Sequence, residues 1–211
     1  MITNEEIKNW RENWQTKTGK HLSIHIDDLL NLNDIIKEAI KRAYAPSVQN
    51  TAVKQGKYGH KKLQIPRKLC EEQLFLEFRK LYDNQKVSEE IFEKWEKSTA
   101  DKIREIYKNN GIDLYTYGNA QKWINMTIKY IFSSNYMNHN VDIYEVAYLP
   151  IDSIIQQIAY KELGVKKLSC AWSKCDDWEE IERYQNDIQK AILTKTEYKT
   201  RLWWECNAWK V

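Results

Sequence analysis

Two short segments hold the residues whose types and spacing could do chemistry. Gly118-Asn119-Ala120-Gln121-Lys122 sets a glycine at a tight turn and a lysine at the start of an amphipathic helix. Pro150-Ile151-Asp152, followed by Ser153 to Ala159, sets a carboxylate at the start of the next helix. A small residue at a tight turn lets backbone N–H groups approach a phosphate. A carboxylate beside a sugar stabilises the positive charge that builds as a bond at the anomeric carbon breaks, and it can orient or deprotonate a water. A desolvated lysine can attack the same carbon and form a Schiff base. Asp152 and Lys122 are therefore the candidate catalytic residues. Read singly, each also fits an ordinary role, an acid in a first helical turn or a solvated lysine.

The elements that must position them read as helices. Residues 33–44 carry an apolar stripe of Ile35, Ile36, Ala39, Ile40 and Ala43, with Asn33 or Asp34 able to cap it and Pro46 ending it. Residues 47–68 read as a long basic loop with a short extended piece, and residues 69–82 as a return to helix. Ser88 can cap a longer helix to about Asn109, stopped by Gly111. After Gly118 the clearest helical spacing runs through Ala120, Trp123, Ile124, Thr127, Ile128 and Ile131. Asn-rich residues 134–146 connect it to a helix from about Ile151. Asp177 and Glu180 offer a capping box for a helix reaching about Leu193. Weak strand signs lie near Leu22–Ile26 and Tyr198–Trp204. The class is mainly α, in a single unit across residues 1–211, with the chemistry at about 114–162.

Composition narrows the partners. The net charge of +3 does not by itself point to nucleic acid, but from Ala39 to Cys70 there is no Asp or Glu. That stretch carries Lys41, Arg42, Lys54, Lys57, Lys61, Lys62, Arg67 and Lys68. A concentrated basic surface binds phosphates through counterion release, and a solvated loop is the plain alternative. Cys70, Cys170, Cys175 and Cys206 make no Cys-x-x-Cys pair or iron–sulfur cluster pattern, so neither a zinc site nor an iron–sulfur cluster is expected from them, while a metal ion at the Gly118 hairpin stays open. The polar N-terminus is unlike a secretory signal, and no apolar run approaches the ~20 residues of a membrane span. A reduced, cytoplasmic setting is expected. His21, His25, His60 and His139 form no nucleophile–histidine pattern.

The two segments together resemble the helix-hairpin-helix DNA glycosylase superfamily, nearest its 8-oxoguanine branch. That family carries Gly-x-Gly-x-Lys at the hairpin and a later Pro-Val-Asp. Gly118, Ala120 and Lys122 stand at the first, Pro150, Ile151 and Asp152 at the second, and Ile158-Ala159 falls where the branch often has a similar pair. The resemblance covers roughly a quarter of the chain. It departs at Ala120 for the second glycine, at Tyr117 for a proline, and at Ile154 for a histidine. The path from Lys122 to Asp152 is also longer than usual, with the extra length placed in Ser133–Glu145.

The resemblance implies a two-lobed helical glycosylase that flips a damaged or modified base out of double-stranded DNA and cuts its N-glycosidic bond. It implies DNA contacts from Gly118, Asn119, Ala120 and Gln121, with Lys54, Lys57, Lys61 and Lys62 gripping phosphates. Met126, Gln156 and Trp203 would line the base pocket, although Met126 and the tryptophans Trp172, Trp178, Trp203, Trp204 and Trp209 also suit a core. Lys122 as nucleophile would add AP-lyase strand nicking. No cofactor is implied, and a monomer is expected. The setting is repair or, given the divergence, defence against phages with modified DNA. The competing expectation is a non-enzymatic helical DNA-binding or interaction protein.

Overall fold

A computed structural model describes Glu5 and residues 31–48, 51, 53, 58, 60–84, 86–134 and 141–208. Among them are eight α-helices and no strand. These are α1 (Leu32–Val48), α2 (His60–Asp83), α3 (Glu89–Asn109), α4 (Tyr117–Phe132), α5 (Val141–Val146), α6 (Ser153–Ile158), α7 (Trp178–Lys195) and α8 (Arg201–Ala208). A π-helical turn, Ala159–Leu163, continues α6, and a 3-10 turn, Trp172–Lys174, precedes α7. No described helix is long and apolar enough to cross a membrane.

Helix α4 is the axis of the molecule. Of its residues only Tyr117 and Met126 are partly exposed. It lies along α1, and α3 flanks it. Trp123 shows the packing: its indole N–H donates to the Ile40 carbonyl at 2.8 Å and its ring sits 5.0 Å from that of Tyr44. A helix buried all round is normally apolar. This one carries Asn119, Gln121, Lys122, Asn125, Thr127 and Lys129, all buried. Burying these polar groups is costly unless they find partners, and each of these side chains makes at least one hydrogen bond, Asn125 through its Nδ2 alone. Thr127 bonds back to Trp123, and the others reach α1, α3, the segment before α6, and α8.

The structure moves three expected boundaries. Helix α1 runs through Pro46 to Val48, because a proline in the last turn removes only one N–H bond. The basic loop expected over 47–68 is helix from His60 onward. Leu63, Cys70, Leu74, Phe78 and Leu81 face the core along α2, and this inward stripe carries the helix through Pro66. The expected strand at 198–204 is not formed: residues 198–200 are irregular and α8 begins at Arg201, with Arg201, Leu202 and Trp204 buried. Leu22–Ile26 lies outside the described residues, as do Lys54, Lys57 and Trp209. Ser88 does cap α3, accepting from the Ile91 N–H.

One buried acid makes the fold sensitive to pH. Glu96 of α3 has no solvent exposure. Burial pushes its carboxyl up from the ordinary 4.5 to about 8, against a hydrogen bond from Asn125 that pulls the other way. Glu96 Oε2 and Asn125 Oδ1 find no partner among the described residues. A protonated carboxyl supplies the missing donor. Because the folded value lies above the unfolded one, the native chain holds an extra proton between them. This contribution is complete below pH 4.5 and is lost as pH rises toward 8. About 3 kcal/mol of stability should disappear between roughly pH 5 and pH 7.5, at about 1.4 kcal/mol per unit. Glu96→Gln should flatten that slope in urea unfolding, and an unchanged slope would count against a neutral Glu96.

Candidate functional site

The segment before α6 is held as if it were a strand. Gln121 donates from Nε2 to the Ile151 carbonyl at 3.0 Å and accepts the Ile151 N–H at 3.1 Å. Two residues earlier, Gln185 of α7 does the same to Leu149, donating at 2.8 Å and accepting at 3.2 Å. Pro150 lies between the clamps and has no N–H to satisfy. Side-chain amides thus replace a β-ladder, and they fix the height at which the chain enters α6.

That entry places Asp152 at the N-cap of α6, in extended conformation. Its Oδ1 accepts from the N–H groups of Ile154 at 2.9 Å and Ile155 at 2.8 Å. Its Oδ2 accepts from Lys122 Nζ at 3.0 Å. The Lys122 side chain is 9% exposed and that of Asp152 17%. Lys122 Nζ also sits 4.5 Å from the centre of the Trp172 ring, a cation–π contact. The two residues expected to do chemistry therefore meet in one partly open place, roofed by an indole.

A second pair lies two turns along the same face of α4. Lys129 Nζ bonds Glu205 Oε1 of α8 at 2.6 Å, with both side chains almost fully buried. Burial pushes the Glu205 carboxyl up, Lys129 pulls it back, and the charge of Asp152 pushes it up again. Asp152 likewise adds to the burial that holds the Tyr184 hydroxyl protonated. Asp152, Glu205, Lys129 and Tyr184 thus share one electrostatic field. Lys129 was open to notice from its place seven residues after Lys122. Glu205, Tyr184 and Gln185 carry no comparable signal.

The segment expected to face DNA turns inward. Gly118 lies in the first turn of α4, which begins at Tyr117 behind a Thr116–Asn119 capping box. The Gly118 N–H donates to the Cys175 carbonyl at 2.9 Å. Asn119 Nδ2 donates to the Ser47 carbonyl, Ala120 is buried in the core, and Gln121 is spent on Ile151. All four are buried, and these groups are committed within the fold. The glycine is required because a Cβ there would stand 1.7 Å from the Trp172 carbonyl oxygen. Gly118→Ala should therefore cost about 2–3 kcal/mol by overpacking, despite alanine's higher helix propensity. A melting temperature equal to wild type would show that the loop yields freely.

The other expected residues divide. Lys61 and Lys62 are exposed in the first turn of α2. Lys62 lies over the Tyr58 ring and beside Gly111, in the turn between α3 and α4. Met126 and Trp203 are half-buried, Trp203 edge-on to Phe132. Gln156 is buried and its carbonyl accepts the Leu168 N–H at 3.0 Å, so its oxygen serves the fold rather than a pocket. Asp177 caps α7, but Glu180 does not close the expected box. Its carboxylate takes the N–H and hydroxyl of Ser169 instead.

The chain matches no protein-family model, no curated protein and no solved structure. Any activity must be argued from its own side chains.

Proposed function

We propose that the protein is a DNA glycosylase that releases a damaged or modified base, with Lys122 and Asp152 as its catalytic residues. The observation that carries this reading is the 3.0 Å contact between the two, formed across thirty positions of chain and partly open to solvent. A lysine and a carboxylate brought together at a helix start suit a reaction in which positive charge develops on a sugar. In this reading an everted nucleotide enters beside Trp172. The N-glycosidic bond breaks, its electron pair leaves with the base, and Asp152 faces the cationic sugar carbon. Lys122, once it has given up a proton, bonds that carbon and opens the ring to a Schiff base; water returns the lysine. Strand nicking belongs to the lysine branch, whereas base release alone needs only Asp152 and a water.

The two-lobed helix-hairpin-helix arrangement of the superfamily is part of the same proposal. Phosphate contacts fall to Lys61, Lys62 and the exposed turn at Gly111, in place of Gly118. Monomeric action on double-stranded DNA, and a role in repair or in defence against modified phage DNA, complete the reading.

A second reading is favoured by the complete hydrogen bonding of Asp152: both oxygens are in use, as in a purely structural cap. Abasic-site formation on a panel of modified duplexes and phage DNAs, with borohydride trapping, separates the two. The glycosylase releases a base from at least one DNA, and any covalent trapping is lost in Lys122→Gln. No release from any DNA, with salt-sensitive binding retained, would leave a DNA-binding protein.

A further inference from the structure

Outside this site the fold gathers three ligating groups that the spacing of cysteines and histidines alone does not reveal. Cys170 and Cys175 flank the turn that carries Trp172, and Glu180 rises from the first turn of α7. Their sulfur and oxygen atoms all lie within 4.8 Å of one another. One edge is already close: Cys175 Sγ and Glu180 Oε2 are 3.7 Å apart. A tetrahedral ion with bonds of about 2.3 Å to sulfur and about 2.0–2.2 Å to oxygen needs ligand separations of roughly 3.5–3.8 Å. Small movements of the Cys170 side chain, which is exposed, bring the rest into range.

The carboxylate is oriented in advance. Ser169 donates to Glu180 Oε1 from its N–H at 2.6 Å and to Oε2 from its hydroxyl at 2.9 Å. Partners of this kind fix a carboxylate ligand in place.

We propose that Cys170, Cys175 and Glu180 bind a thiophilic divalent cation of the zinc class, with solvent in the fourth position. Two sulfurs and one oxygen select zinc or cobalt over magnesium or calcium, which take all-oxygen shells. On binding, each thiol gives its proton to solvent and each thiolate bonds the metal; no oxidant takes part. The ion staples both ends of the turn 170–175 to α7. That turn supplies the Trp172 ring over Lys122 and the Cys175 carbonyl that takes the Gly118 N–H. The metal would thus hold the roof of the site without touching the reacting atoms. The inference does not depend on the glycosylase reading, because its measurement is metal binding.

The test is titration of the reduced, full-length protein with Co2+, followed by displacement with Zn2+. Thiolate-to-cobalt charge-transfer absorption should rise to one equivalent and vanish on adding zinc. Release of close to two protons per zinc should accompany it in weakly buffered solution. Cys170→Ser, a change at an exposed position, should weaken binding at least about tenfold and remove any zinc-dependent rise in melting temperature. No charge-transfer band in the wild type would overturn the site, as would an equal band in Cys170→Ser. So would a sample that stays about 2 Da light after treatment with reductant and takes no cobalt, since the two sulfurs would then be held as a disulfide.

Discussion

Asp152→Asn is expected to lower base release by roughly 10²–10³-fold or more while the protein stays folded and still binds DNA. Removing one preorganised electrostatic partner of a developing charge commonly costs that much. The substitution is informative because asparagine is as good an N-cap as aspartate. The bonds from Ile154 and Ile155 to Oδ1 have a carbonyl oxygen to accept them. What disappears is the charge, and with it the partner of Lys122. Leaving a largely buried ammonium against an amide should cost about 1–3 kcal/mol, softened by its contact with Trp172. Circular dichroism and urea unfolding measure that loss, and abasic-site formation measures the chemistry. Base release within threefold of wild type would reduce Asp152 to a cap. A parallel fall in DNA affinity and activity would point to binding rather than catalysis.

The second large effect concerns stability. Lys129→Met alone should destabilise the protein by about 3–5 kcal/mol, because it leaves Glu205 buried beside Cys206 without its cation. Glu205 would escape part of this by taking up a proton, which burial and Asp152 already encourage. The pair Lys129→Met with Glu205→Leu should recover most of the loss or exceed wild type, since an apolar pair of similar volume avoids desolvating two charges. Urea unfolding of the single and double variants gives the coupling. Strictly additive losses would show that the two side chains do not act on each other.

The helices that were legible carry their signals locally. Ser88 followed by an apolar repeat to Ile106, and Asp177 before Trp178, announce α3 and α7 from within a few residues. Helix α2 was half-hidden, because Pro66 and the four basic residues Lys61, Lys62, Arg67 and Lys68 look like loop while its inward face starts only at Leu63. Helix α8 was misread because an aromatic run with threonine nearby also suits a strand. Its true partners, Val146 and Ala147 for Arg201 and Lys129 for Glu205, lie far back in the chain. Asp152 stood out because it opens a helix, whereas Lys122 stood out by its place four residues after Gly118 and lies in the second turn of α4. The reason for Gly118 did not, since the oxygen that excludes a side chain there belongs to Trp172.

The amide clamp of Gln121 on Ile151 has a consequence for how such a chain can change. The reach from acid to lysine is measured across space by one side chain, from the residue before Lys122 to the residue before Asp152. It is not measured by the length of chain in between. Lengthening or shortening that intervening stretch leaves the ruler intact, whereas shaving a single methylene from it, as in Gln121→Asn, is expected to slide Lys122 past Asp152. Divergent versions of this site are better sought by that glutamine and its backbone pairing than by any fixed count of residues between the two.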